Sequence, residues 1–334
     1  MNLVTGATGL LGSHIAERLV AAGQKVRALV RPTSDTRFLD DLGVEKVIGD
    51  LTDPASLAAA CRGIDVIYHA AARVGDWGPW NDFKVHTMDA TDNLARAAQK
   101  AGVRRFVHIS SISAYGNPNG KNLVIDETAP LGQNVHRWSY YTRAKVIAEE
   151  SLWRMHRQEQ FPLTVIRPSW IYGIRDRTSI ARLHRMITTG RIKILGSGDN
   201  RLNTVYAGNI ADACILAAAS DKALGQAYNI SNDGVITQKE YLALWAQAFG
   251  CPPPAKKVPY WLAYSLGFDC EVIGRLLHLK KPPFITRYSV WLMGRNVYFP
   301  ADKARRELGW QSRVSYEQGI KMTAQWFLQN CLSK

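Results

Sequence analysis

Val4-Thr5-Gly6-Ala7-Thr8-Gly9-Leu10-Leu11-Gly12 decides the fold of this 334-residue chain. A short apolar start, Asn2 to Val4, precedes it, and His14-Ile15-Ala16-Glu17-Arg18-Leu19-Val20 follows. These residues read as a strand, a turn with three glycines, and a helix with Ile15, Leu19 and Val20 on its apolar side. The glycines have separate jobs in a dinucleotide site. Gly6 permits the tight turn, Gly9 removes a side chain where pyrophosphate approaches the backbone, and Gly12 lets helix and strand pack closely. The helix N-terminus then offers unpaired N–H groups and the positive end of its dipole to phosphate.

Downstream, strands are expected at Lys25 to Val30, Glu45 to Ile48, Asp65 to His69, Arg104 to Ile109, Leu163 to Pro168 and Ala227 to Ile230. Helices are expected between them, at Ala55 to Cys61, Thr87 to Ala101, Tyr140 to Arg157 and Asn209 to Ala219. Strict alternation of this kind predicts an α/β fold, a Rossmann-type doubly wound parallel sheet with its ligand beyond the C-terminal strand ends. Residues 1–170 are expected to form the nucleotide-binding domain, with a return to it at about 203–232. Residues 171–202 and 233–334 then make a smaller C-terminal substrate-binding lobe.

Composition narrows the class. Hydrophobic residues at 46% and charged residues at 21% suit a globular enzyme and exclude a disordered chain. The cysteines at 61, 214, 251, 270 and 331 form no CxxC pair, and no signal peptide opens the sequence. They are expected to be reduced thiols in a cytoplasmic protein. Without HxxxH spacing among the histidines, no metal site is expected. The net charge of +14 has no nucleic-acid-binding signature beside it, so a nucleic-acid partner is not expected.

Chemistry-bearing residues fall at strand ends. Arg31 ends the second strand, where a carboxylate would bond a ribose 2′-hydroxyl and an arginine pairs a 2′-phosphate. With Thr33, Ser34 and Arg37 following, NADP(H) is expected over NAD(H). Asp50, in Gly49-Asp50-Leu51, is placed to accept from the adenine amino group. Tyr141 and Lys145 lie four residues apart, on one helix face; Tyr140 points elsewhere. A phenol is a poor base at neutral pH, and the Lys145 ammonium is expected to lower its pKa and to hold the nicotinamide ribose. Ser110-Ser111-Ile112-Ser113 ends the fifth strand in hydroxyls able to donate to a carbonyl oxygen.

Together these motifs resemble the extended short-chain dehydrogenase/reductases, the NAD-dependent epimerase/dehydratase group. Thr5 to Gly12 matches the TGxxGxxG turn, Tyr141 to Lys145 the YxxxK pair, and Arg167-Pro168-Ser169-Trp170-Ile171-Tyr172-Gly173 the RPxxxYG segment beside the nicotinamide. The resemblance implies Ser111, Tyr141 and Lys145 as catalytic residues. Its cofactor set is Gly6, Thr8, Gly9, Leu10, Leu11, Gly12, Arg31, Asp50, Leu51, Ala70, Ala71, Ala72, Tyr141, Lys145 and Pro168.

Ser111-Ile112-Ser113 stands where nucleotide-sugar 4,6-dehydratases carry Thr-Asp-Glu. The C-terminal run from Pro259-Tyr260-Trp261 through Lys281-Pro282-Pro283-Phe284 to Leu308-Gly309-Trp310 looks like the 3β-hydroxysteroid dehydrogenase branch. That branch includes 2-alkyl-3-ketoalkanoate reductases, whose loop Gly75-Asp76-Trp77-Gly78 resembles. Thr87 and Ala90 depart from the Asn and Gly common in the family, which puts its usual water relay in doubt.

The leading expectation is a secondary alcohol/ketone oxidoreductase acting on a small apolar, steroid- or β-keto acid-like substrate. A nucleotide-sugar epimerase, suggested by the basic residues of 175–193, and a nucleotide-sensing protein without chemistry are the alternatives. A homodimer is expected from the resemblance. No stretch reaches the ~18 apolar residues of a spanning helix. From 251 onward thirteen basic residues face five acidic ones. Apolar Val258 to Leu279, followed by Lys280-Lys281, is expected either to close the substrate pocket or to touch a membrane peripherally.

Overall fold

The structure is a computed structural model and describes residues 1–120, 122–177 and 179–332. The strands β1 (Asn2–Thr5), β2 (Val26–Val30), β3 (Glu45–Ile48), β4 (Val66–His69), β5 (Arg105–Ile109), β6 (Leu163–Pro168) and β7 (Gln226–Ile230) form one seven-stranded sheet. Their order is β7-β6-β5-β4-β1-β2-β3, and every pairing is parallel. The order reverses between β1 and β4. In a doubly wound sheet this is where a ligand crevice opens.

Central strands are buried on both faces, so β4, β5 and β6 carry apolar residues at successive positions and bury even polar ones, among them Arg105, His108, Thr164 and Arg167. One face carries α1 (Leu10–Ala21), whose Ile15 and Leu19 meet Val4, Val30 and Ile210 in one core. The other face carries α2 (Pro54–Cys61), α3 (Ala90–Lys100) and α4 (Tyr140–Glu159), with Leu57, Leu94 and Leu152 against Phe106 and Val165. Asp53 caps α2 by accepting from Ala55 N–H at 3.1 Å, with Pro54 in the first turn where its missing N–H costs nothing.

The later segments build a separate core. The helices α5 (Ser179–Thr188), α6 (Ala207–Ala219), α7 (Gln238–Ala248), α8 (Tyr260–Leu276), α9 (Arg287–Gly294), α10 (Asp302–Leu308) and α11 (Tyr316–Cys331) follow in chain order. α6 and α10 join the α1 side of the sheet. α5, α7 and α11 enclose Ile180, Trp245 and Phe327. α8 and α9 pack on each other beside the crevice.

One expectation needs correction. The helix expected at Thr87 to Ala101 does not start at Thr87: a short helical turn, Trp80–Phe83, runs into a π-turn at Lys84–Asp89 before α3 begins. The π-turn sets Thr87 inward, where its hydroxyl accepts from Arg73 N–H at 3.1 Å. The buried face of α8 is Ala263, Gly267, Glu271 and Gly274, and its larger apolar side chains are exposed, with Leu262 and Leu266 along the cleft.

Candidate active site and nucleotide cleft

The turn after β1 is shaped by what a side chain would strike. Gly6 has φ +68°, and a β-carbon there would lie 2.9 Å from Ala71 N. At Gly12 it would lie 2.2 Å from the Gly6 carbonyl oxygen, so only glycine lets α1 sit this close to the turn. Gly9 is the N-cap of α1 and contributes no side-chain cap, so the first N–H groups of the helix face the crevice without a local acceptor.

From this turn a cleft of about 1850 Å³ runs along the strand ends. Gly6, Thr8, Gly9, Leu10, Leu11 and Gly12 line one part; Arg31, Asp50, Leu51, Ala70, Ala71 and Ala72 line the next; Ser111, Tyr141, Lys145 and Pro168 lie further along. The fold therefore gathers into one cleft the three expected catalytic residues and the expected cofactor set, but not Thr33 or Arg37. A three-glycine turn without β-carbons, a helix N-terminus and small residues at the β4 exit fit a dinucleotide.

At the ribose end the partners differ from expectation. Arg31 is exposed, and its backbone N–H donates to Ser34 Oγ at 3.2 Å. Arg37, expected to help at a 2′-phosphate, is instead held by Asp35 through Nε at 2.9 Å and Nη2 at 2.7 Å. Asp35 also takes Arg177 at 3.1 Å. These hydrogen bonds hold the Asp35 carboxyl far below the usual carboxylate range. One Asp50 oxygen accepts from Thr52 N–H and Oγ1, both at 2.8 Å, which lowers the Asp50 pKa.

The reacting end is built on β5 and α4. Ser111 ends the strand and caps the 3-10 turn Ile112–Tyr115, its Oγ accepting from Ser113 N–H at 3.1 Å. That acceptor role leaves the Ser111 O–H free to donate elsewhere. Lys145 Nζ donates to Ile109 O at 2.8 Å. Burial drives the Lys145 pKa down to about 8, against the Glu149 carboxylate one turn on, which favours the charged form. Tyr141 behaves differently from its expectation. Burial raises its pKa, and the approach of the Ser111 and Ser113 hydroxyls holds part of that rise back. Desolvation of the phenolate outweighs the hydrogen bonds that favour it, while Lys145 gives one of its three N–H donors to the Ile109 carbonyl and keeps two. At neutral pH Tyr141 is therefore a neutral phenol, able to donate a proton.

Behind this pair lies a network that sequence reasoning did not single out. Glu149, wholly buried, accepts from Arg167 Nε at 3.0 Å and Nη2 at 2.5 Å, from Ser110 Oγ at 2.5 Å and from Trp153 Nε1 at 3.0 Å. Arg167 also donates to the Tyr115 hydroxyl at 2.8 Å, and Tyr115 in turn donates to Asn229 Oδ1 at 2.8 Å. Burial opposes the Arg167 charge, but Glu149 outweighs it and the pKa rises. The legible signal was spacing: Glu149 stands four residues after Lys145, on the same helix face.

Tyr288 also escaped notice. It lines the cleft beside Tyr141, and burial pushes its phenol far up, with the Asp76 carboxylate adding to the rise. The loop Gly75-Asp76-Trp77-Gly78 reaches the same place. Trp77 Nε1 donates to Leu279 O at 2.7 Å, and Thr286 Oγ1 donates to Asp76. Arg275 of α8 sits over the rings of Trp77, Trp138 and Tyr140 at 4.8, 5.0 and 5.0 Å. Tyr140 thus serves this aromatic cage and not the cleft. Partners some 200 residues apart gave no local signal in the sequence.

Comparison with known proteins shows the family and the fold. Residues 2–231 match the model of the NAD dependent epimerase/dehydratase family. A 2-alkyl-3-oxoalkanoate reductase of Shewanella oneidensis is 31% identical, over 95% of this chain and 84% of its own. A 3-beta-hydroxysteroid dehydrogenase of Mycolicibacterium neoaurum is 30% identical, over 95% and 88%. Among solved structures, gox2253 superposes with a TM-score of 0.82 at 29% identity, covering 99% of this chain and 98% of its own. A dTDP-glucose 4,6-dehydratase of Streptomyces venezuelae with NAD bound shares the fold, with a TM-score of 0.76 at 23% identity over 99% and 97%. The chain belongs to the NAD dependent epimerase/dehydratase family.

Proposed function

We propose that this protein is an oxidoreductase interconverting a ketone and a secondary alcohol on an apolar substrate, with NADP(H) preferred over NAD(H). The observation that carries the reading is the convergence of Ser111, Tyr141 and a buried Lys145 at the β5 end of the nucleotide cleft. A nicotinamide dinucleotide held along the glycine turn would supply or accept the hydride. Tyr141, a neutral phenol, donates the proton to the carbonyl oxygen in the reducing direction. The Ser111 hydroxyl donates a hydrogen bond to that oxygen, and Lys145 holds the nicotinamide ribose and keeps a positive charge near the developing alkoxide.

Two further observations support the substrate class. Beyond Tyr141 the cleft is walled by Leu183, Met186, Leu195, Leu262, Leu292 and Met293. The 171–202 and 233–334 segments supply these side chains, as a substrate-binding lobe should. The named relatives are a reductase of 2-alkyl-3-oxoalkanoates and a dehydrogenase of 3-beta-hydroxysteroids.

Arg31 supports NADP(H), because it lines the cleft, no carboxylate among the described residues hydrogen-bonds its guanidinium, and only the charge of Asp50 acts on it, while Arg37 and Arg177 are taken by Asp35. A nucleotide-sugar epimerase draws less support. Within the basic segment that suggested it, Arg175 is spent on Glu17 at 2.7 Å and Ser13 at 2.8 Å and Arg177 on Asp35, while Arg182, Arg191 and Lys193 line the cleft. Oxidation of NADPH and of NADH with medium-chain β-keto acids, 3-keto-steroids and UDP-sugars tests the reading. Turnover with an apolar ketone and NADPH is expected. Conversion of a UDP-sugar to its epimer, read by chromatography of the sugar because it consumes no net NADPH, with no apolar ketone reduced, would replace this reading with the epimerase.

A further inference from the structure

Helix α8 is amphipathic in the wrong sense for a helix that only closes a pocket. Its protein-facing side is Ala263, Gly267, Glu271 and Gly274, and its bulky apolar residues face out. The small residues are required there. A β-carbon at Gly274 would lie 3.0 Å from the Trp77 ring, and one at Gly267 would lie 3.0 Å from Arg287 N. The close approach keeps Trp77 and Arg287 against the helix and pushes the large side chains to the opposite face. Trp261 is 69% exposed and Leu276 is 72% exposed, with Leu266, Ile273 and Leu277 exposed between and beside them. An ordinary surface helix turns its apolar stripe inward. Exposure of this many large apolar residues on one element marks a contact surface.

We propose that the outer face of α8 docks on an anionic lipid surface and opens the substrate cleft toward it. Charge complementarity selects the occupant. Lys256-Lys257 lie just before the helix and Lys280-Lys281 just after it, all exposed, so cations flank the apolar face at both ends. Continuity with the cleft gives the surface its use. Leu262, Leu266 and Phe284 are exposed and also line the cleft, so its apolar wall runs out onto the docking face without a polar break at these residues. No helix among the described residues is long and apolar enough to cross a membrane, so the contact is interfacial. Asp269 is exposed on the same face and repels anionic lipid. The proposal rests on the apolar-substrate reading for its purpose but not for its test, since vesicle binding is read without turnover.

The full chain is sedimented with vesicles of phosphatidylcholine containing phosphatidylglycerol, and with phosphatidylcholine alone. Binding to the mixed vesicles that weakens with salt is expected. Lys280→Gln and Lys281→Gln should each weaken it about fivefold. Trp261→Ser with Leu276→Ser should weaken it more than tenfold, and both sites are exposed enough to leave the fold intact. Asp269→Asn should strengthen it, which no folding defect would do. The proposal is overturned if wild-type protein fails to sediment at low salt, or binds both vesicles equally. Light scattering showing a dimer that Trp261→Ser and Leu276→Ser dissolve would overturn it too, by assigning the face to a second copy.

Discussion

Replacing Glu149 with glutamine probes the buried network behind the cleft and its link to Lys145 together. The Glu149 and Arg167 side chains are 0% and 5% exposed, and the carboxylate takes two guanidinium nitrogens, at 3.0 and 2.5 Å. Both of those contacts fall on Oε1, so glutamine can keep an acceptor there, but its N–H₂ group replaces Oε2, the acceptor of Ser110 Oγ, and the negative charge opposite Arg167 is lost. An uncompensated buried cation remains, at a cost of about 3–5 kcal/mol. Urea unfolding followed by tryptophan fluorescence would read that loss. The second consequence is electrostatic. Burial holds Lys145 at about 8, and Glu149 is the charge that resists a further fall. Without it the ammonium loses its proton at lower pH, so the alkaline limb of kcat/KM for ketone reduction should move from near 8 toward neutrality. A loss under about 1 kcal/mol, together with an unmoved limb, would refute the claim that this carboxylate supports both Arg167 and Lys145.

Tyr141→Phe should cut turnover by about 100- to 10,000-fold while leaving nucleotide affinity nearly intact, measured by steady-state kinetics and cofactor titration. Tyr140→Phe should be mild, because Tyr140 packs on Trp80 and Arg275 away from the cleft. Arg31→Asp should weaken NADPH about 10- to 100-fold more than NADH in fluorescence titrations, as a charge-assisted bond is lost and a repulsion gained. Equal weakening would make Arg31 a surface residue only. Gly12→Ala should cost about 3 kcal/mol or more and abolish nucleotide binding, since its methyl group would meet the Gly6 carbonyl at 2.2 Å. A variant of wild-type melting temperature would contradict that packing.

Much of the nucleotide half was readable because its signals are local. Gly6, Gly9 and Gly12 fix a turn within seven residues, and Tyr141 and Lys145 share a face by helical periodicity alone. The strands were legible because parallel strands buried on both faces appear as apolar runs. What escaped depends on distance in sequence or on a competition between energies. Tyr288 reaches Tyr141 only through the packing of α9, and Trp77 finds Leu279 across the whole chain. The sign of the Tyr141 shift depended on burial against charge, and spacing cannot weigh those. The outward stripe of α8 shows the same limit. Its composition was visible, but the inward choice of Ala263, Gly267 and Gly274 is decided by Trp77 and Arg287.

The central claim concerns hydride transfer with net reduction of an external ketone. NADPH carrying deuterium at nicotinamide C4 tests it most directly, with a medium-chain β-keto acid or a 3-keto-steroid as acceptor and mass spectrometry of the alcohol formed. The account predicts one deuterium on the carbinol carbon, one NADP⁺ per alcohol, and loss of both with Tyr141→Phe. Unlabelled product, or inversion of a sugar carbon with no net oxidation of NADPH, would contradict it.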